Sequence, residues 1–263
     1  MNRDETQLVR LIALLLTDGG ISKASKNLYE IYITNNSNII LNMFEACIED
    51  LFGKQKFYRY KFKTVKKVKI TSKEIGIYLL KFSSSYRTRP CNTYPKCLDK
   101  TLCRICRSIN GYPPARIPKF ILNGKIEIRQ EFLKIAFSAD GCIEFYENKN
   151  KKNNKKSNKK SIQRRISLFC SNPYILKQFK TMIKKCGFNI TFTKTEIRIT
   201  GKKQLNKFKN EIGFLDGVVV SSKSKFWCGY DKNELLRIVL NSYWTDIKSQ
   251  SNPLIAGSSR NVS

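Results

Sequence analysis

Two apolar segments that stop at the same dipeptide constrain this chain more than any other feature. LVRLIALLLTDGGIS, residues 8–22, and EFLKIAFSADGCIE, residues 131–144, each read as a helix closing on Asp-Gly, at Asp18-Gly19 and Asp140-Gly141. In the first, Leu8, Leu11, Ile12 and Leu15 form one stripe, while Val9, Ala13, Leu14 and Leu16 cover much of the other side. A helix apolar nearly all round is buried on several faces. On the helix leading to the second Asp-Gly, Ile128, Phe132, Ile135, Ala136 and Ala139 share a face. An Asp at the C-terminal end of a helix sits at the negative pole of the macrodipole and is disfavoured unless a cation compensates it. Two such carboxylates, brought together, make a site for a hard divalent ion such as Mg²⁺, which takes oxygen ligands.

The order of elements after each segment repeats as well. After Asp18, alternation predicts strands over residues 21–24 and 28–34, a helix over 37–51, strands over 57–63 and 67–71, and a helix over 72–82. After Asp140 come predicted strands over 142–146 and 164–171, a helix over 173–186, strands over 188–193 and 196–200, and a helix over 202–212. Ile70-Thr71-Ser72-Lys73 answers Ile199-Thr200-Gly201-Lys202, each at the end of its fourth strand. The expected fold is therefore α+β, two pseudo-symmetric αββαββα units with antiparallel sheets. The first unit is placed at residues 1–84, a linker at 85–123, and the second unit at 124–247 with one more helix capped by Asp231. The Lys/Asn-rich stretch after Glu147 and a tail over 248–263 read as low-complexity or disordered.

The charge points to the partner. Fifty Lys and Arg against twenty acidic residues give a formal net charge of +30. On a folded chain such an excess fits a polyanion, because Lys and Arg gain by releasing condensed phosphate counterions; a merely soluble Lys-rich surface is the plainer reading. Strand alternation alone offers Tyr32, Arg59, Lys61, Lys63, Lys67, Lys69, Arg165, Thr191 and Arg198 as nucleic-acid contacts, against the alternative of a solvated sheet face. The absence of histidine excludes an imidazole base or ligand and leaves carboxylates and metal-bound water for proton chemistry. Cys91, Cys97, Cys103 and Cys106 fall within sixteen residues of the linker, which fits a structural Zn²⁺ site, free thiols or disulfides. The apolar run at residues 8–16 is too short to span a bilayer, which takes about 20 residues. Asp4 and Glu5 precede it and no small-residue cleavage site comes after it, so the chain reads as intracellular rather than secreted.

LIALLLTDG, residues 11–19, and LKIAFSADG, residues 133–141, resemble the two copies of the defining motif of the LAGLIDADG homing endonucleases. The approach RIPKFILNGKIEIRQEFLKIAFSADG also resembles the entry to the second motif in archaeal and intein-type members of the single-chain, two-motif type. The resemblance implies two motif helices packed on a pseudo-two-fold axis and paired sheets forming a saddle in the DNA major groove. It implies a monomer that cuts both strands of a long asymmetric site with Mg²⁺ or Mn²⁺. Asp18 and Asp140 would be the metal carboxylates, with the main-chain carbonyls of Thr17 and Ala139 as further ligands. Lys73 and Lys202, with Lys203 as alternative to the latter, would be the catalytic lysines, or else solvated helix-terminal lysines. An intron RNA maturase on the same scaffold and a non-catalytic DNA-binding regulator are the rival functions. One departure is Ile135, a large residue where the family's helix interface favours small ones and where the first copy has Ala13.

Overall fold

Helix α1, Arg3–Thr17, begins where the Asn2 side chain accepts from the Glu5 amide at 2.7 Å and ends at Asp18, whose amide donates to the Leu14 carbonyl. The computed structural model describes residues 2–26, 28–63, 65–86, 115–148, 161–221, 224 and 226–245. The linker cysteines Cys91, Cys97, Cys103 and Cys106, the centre of the Lys/Asn stretch and the tail lie outside the described residues. After α1 come β1 Gly19–Ser25, β2 Leu28–Asn35, α2 Asn38–Phe52, β3 Tyr58–Lys61, β4 Lys66–Thr71 and α3 Lys73–Leu80. A four-residue helix, α4 Lys119–Leu122, leads into the second unit. That unit runs α5 Ile126–Asp140, β5 Gly141–Asn148, β6 Ser161–Phe169, α6 Pro173–Lys185, β7 Thr191–Phe192, β8 Glu196–Thr200 and α7 Lys202–Glu211, and α8 Lys232–Thr245 comes last.

Each unit closes one antiparallel four-stranded sheet, in the order β1-β2-β4-β3 and β5-β6-β8-β7. Ile31, Ile33, Val68 and Ile70 fill the inner face of the first, and Ile143, Ile166, Leu168, Ile197 and Ile199 that of the second. Period-two alternation explains both, since every second side chain of a strand points to the same face. Helices α1 and α5 pack against each other between the sheets. Val9 and Leu11–Leu16 are buried, as are Phe132, Leu133 and Ile135–Phe137. Ala13 and Ile135 are both fully buried, so the large Ile135 is accommodated within the packed core. Arg10 and Glu131 clamp the two helices with an ion pair at 2.5 Å.

Candidate active site

The two aspartates hold the same place in the fold. Asp18 ends α1 and precedes β1; Asp140 is the last residue of α5 and β5 starts at once. Glycine comes next in each case because helix and strand meet too closely for a side chain: a Cβ on Gly19 would stand 2.6 Å from the Tyr32 carbonyl oxygen, and one on Gly141 closer still to that of Phe137. The Asp18 carbonyl accepts from the Thr34 amide at 2.9 Å, and its carboxylate Oδ2 accepts from the Asn35 side-chain amide at 2.6 Å. Asn35 thus fixes the carboxylate from the end of β2.

Register matches the sites position by position and shows that they differ. Gly19 lies opposite Ile33 and Gly141 opposite Leu168, so Cys170 occupies the place of Asn35. The Cys170 thiol is pushed up to about 11 by burial, with the Asp140 charge adding to the effect. The second site has another asymmetric feature, the buried Lys232 at the start of α8. Its ammonium donates to the carbonyls of Ser138 at 2.7 Å, Gly141 at 2.8 Å and Phe137 at 3.4 Å. These carbonyls lie where α5 ends, so the cation compensates the negative helix pole. Burial lowers Lys232 to about 8, against the pull of Cys142, Asp140 and Asp18. One ammonium therefore lies in the field of both aspartates.

The segment before α8 holds this lysine in place. Lys232 donates its amide to the Val218 carbonyl at 2.9 Å, and Asp231 caps α8 through the amides of Asn233 and Glu234. Leu215 donates its amide to the Ser138 hydroxyl, and the Trp227 indole donates to the Phe145 carbonyl. Sequence reasoning missed Lys232 and Asn35. The Asp231 cap predicted the helix, but nothing in the chain tied its next residue to a helix end 91 residues earlier.

The lysines expected at the strand ends fall elsewhere. Asn35, beside Asp18, pairs with Lys66, while Thr71 at the other end of β4 pairs with Glu30. Five residues of strand carry the chain about 17 Å away before Lys73 is reached. Strand β8 likewise starts opposite Phe169, near Gly141, and ends opposite Arg165, about 13 Å further along. The repeated phrase is real, but its strand runs outward, so neither Lys73 nor Lys202, nor the adjacent Lys203, is brought to the aspartates.

The open sheet faces sort the other basic residues. Tyr32, Lys67 and Lys69 share the outer face of the first sheet, where Glu30 receives both lysines at 2.6 Å. Burial alone would raise the Glu30 carboxyl, but its bonds from Lys67 and Lys69 bring it below its ordinary value. Arg59 pairs across the ladder with buried Val68, on the inner side, and its guanidinium goes to Glu45 and Asn42 of α2. Lys61 lies opposite Lys66, which bonds Asn38 on the same helix side, and Lys63 sits exposed in the β3–β4 turn. The expected assignment of β3 is thereby reversed: Tyr58 and Tyr60, opposite Lys69 and Lys67, face outward. In the second sheet Arg165, Thr191 and Arg198 do lie on the outer face. There Glu144 takes Arg165 and the Ser167 hydroxyl; burial opposes its ionisation, but these partners hold its carboxyl below the usual range.

The sequence matches no family model and no curated protein. Among solved structures, the chain is similar to the LAGLIDADG meganuclease I-AabMI bound to uncleaved DNA, with a TM-score of 0.52 and 11% identity, covering 94% of this chain and 93% of that one. It is similar to mesophilic variants of the homing endonuclease I-DmoI, with a TM-score of 0.50 and 16% identity, over 81% of this chain and 97% of that one. An I-DmoI variant in complex with its target DNA and manganese gives 0.50 and 16%, over 81% and 96%. The fold of this chain is the LAGLIDADG fold.

Proposed function

We propose that this chain, built on the LAGLIDADG fold, is a site-specific homing endonuclease that makes a metal-dependent double-strand break in a long asymmetric DNA site. The observation that carries the reading is the pair of equivalent aspartates at the ends of two packed helices, with the Lys232 ammonium in the field of both. The donor set suits a hard divalent ion: Asp18 and Asp140 offer carboxylate oxygens, and the carbonyls of Thr17 and Ala139 adjoin them. Among the described residues, no group of three or more His, Cys, Asp or Glu forms a metal cluster. Two carboxylates therefore require phosphate oxygens and water to complete a shell, which is how Mg²⁺ is commonly held beside a phosphate substrate. When bound, the ion lowers the pKa of water and stabilises charge on the leaving oxygen.

The chain's own residues do the rest. Asn35 orients the Asp18 carboxylate. Lys232 offsets the repulsion between two carboxylates that both sit at negative helix poles, and so keeps the site assembled before DNA arrives. Lys67, Lys69, Arg165 and Arg198, on the outer sheet faces, meet phosphates and base edges. Register places Glu30 where the other unit has Arg165, and Lys67 where it has Glu196. Faces so different read different half-sites, which makes the target non-palindromic.

A plasmid carrying the uninterrupted insertion site, incubated with Mg²⁺, is expected to be linearised with short 3′ overhangs. Asp18→Asn and Asp140→Asn should each bind the site yet cut at least about a hundredfold more slowly, since metal-assisted charge stabilisation contributes several kcal/mol. Undiminished cleavage by Asp18→Asn, or no cleavage by the wild type, would refute the reading.

A further inference from the structure

The outer face of the first sheet carries a feature that duplex recognition does not use. Tyr58, Tyr60 and Phe62 project outward along edge strand β3 and its extension, and are 40%, 41% and 53% exposed. The rings of Tyr60 and Phe62 lie nearly parallel, 18° apart, with centroids separated by 6.4 Å. Cations line the row: Lys56 lies over Tyr58, Lys69 over Tyr60, and Lys67 over the neighbouring Tyr32. Residues 56–71 are rich in Lys and Arg and hold no acidic residue, and Glu30 from β2 offsets only part of that charge. Among the described residues the second unit has no such row, because Thr191 stands where Tyr58 does.

A double helix shows a protein its base edges and phosphates, while its base faces are buried in the stack. Exposed rings interleaved with cations on an antiparallel sheet find a better partner in unpaired bases, each of which offers a π-face. Spacing agrees with this. Bases in one strand of a duplex rise about 3.4 Å per step, so successive bases cannot meet rings 6.4 Å apart unless the strand is drawn out of its stack.

We infer that the outer face of the first sheet binds single-stranded nucleic acid, stacking unpaired bases on Tyr58, Tyr60 and Phe62 while Lys56, Lys67 and Lys69 hold its phosphates. This binding goes beyond the proposed cleavage and does not depend on it. Because the same face would hold duplex DNA, the two ligands exclude each other.

Fluorescence anisotropy of labelled oligouridine and oligodeoxyuridine on the full chain, without divalent metal, tests the inference, with a labelled duplex as the reference. Tyr60→Ala and Phe62→Ala should each weaken single-strand binding about 5- to 150-fold, the range that loss of one base–ring stack produces. Tyr60→Phe should restore the affinity and Tyr60→Leu should not, which separates stacking from apolar burial. Unlabelled duplex should displace the single strand. The tighter of the two oligonucleotides identifies the sugar preference. Unchanged single-strand affinity in the Tyr58→Ala/Tyr60→Ala/Phe62→Ala variant, or an equal loss for the duplex, would overturn the inference. All three sites are solvent-exposed, so the variants should fold, as circular dichroism can check. A chain that cuts DNA but ignores single strands fails here alone, and one that binds single strands but never cuts fails only the endonuclease reading.

Discussion

Replacing Lys232 by Met removes one charge from the centre of the molecule, and the structure sets the size of the effect. Lowering its pKa from 10.5 to about 8 means that keeping the ammonium charged costs roughly 3 kcal/mol. Against this stand two short bonds to the Ser138 and Gly141 carbonyls, worth about 1.5–3 kcal/mol each for a charged donor. The bond to Phe137, at 3.4 Å, adds little. The bonds match the penalty or exceed it by up to about 3 kcal/mol, so Lys232→Met should cost no more than about 3 kcal/mol of stability. Cleavage should fall further, by about a hundredfold, the effect typical of removing one preorganised electrostatic partner. Titration gives a second readout. Between about 8 and 10.5 the unfolded chain carries the proton that the folded chain has lost, so stability rises with pH across that window; the penalty is complete below it. Denaturant melts from neutral to high pH should show this rise in the wild type and a flatter profile in Lys232→Met. A folded Lys232→Met variant that cuts at the wild-type rate would refute the electrostatic role, and parallel pH profiles would refute the burial of a charge.

The remaining predictions address the sheet faces and the tight turns. Lys67→Ala should reduce the salt dependence of DNA binding by about one phosphate contact, a change of about 0.9 in the log–log slope, whereas Arg59→Ala should leave it unchanged; equal slopes would refute the assignment of faces. Glu30→Gln should alter stability by less than about 1 kcal/mol, because its ion pairs lie near the surface. It should strengthen non-specific duplex binding at low salt by releasing Lys67 and Lys69, and weaker binding would show that Glu30 positions them. Gly141→Ala should destabilise the fold by about 1–3 kcal/mol, the usual cost of overpacking, because the added Cβ would clash with the Phe137 carbonyl; an unchanged melting temperature would count against the close approach of α5 and β5.

Much of the fold could be read from periodicity, for a physical reason. Each helix and strand buries one face, and a buried face writes its period into the chain, as Ile143, Ile166 and Ile199 do along their strands. Which face of a strand is inner depends on its partner, and that was not legible for β3. Tyr58, Tyr60 and Phe62 alternate with Arg59, Lys61 and Lys63, and the pattern fits either orientation until Arg59 is seen opposite Val68. The direction of a strand was equally hidden, so a matching phrase at the ends of β4 and β8 led to Lys73 and Lys202 although both strands run away from the aspartates. Asp18 and Asp140 were legible because each ends its own apolar helix. Lys232 was not, since its role depends on long-range packing, and a lysine after a helix cap reads as solvated.

That long reach also fixes an order of events. Ribosomes release the N-terminal part of a chain first, and both sheets are encoded before residue 201. Lys232 comes after them, 91 to 95 residues beyond the carbonyls it caps. A nascent chain can therefore form both sheets while its two aspartates still lack their common counter-charge. Growth of α8 then acts as a safety catch released last, so that on the proposed reading a truncated or half-made copy grips nucleic acid but is poorly equipped to break it.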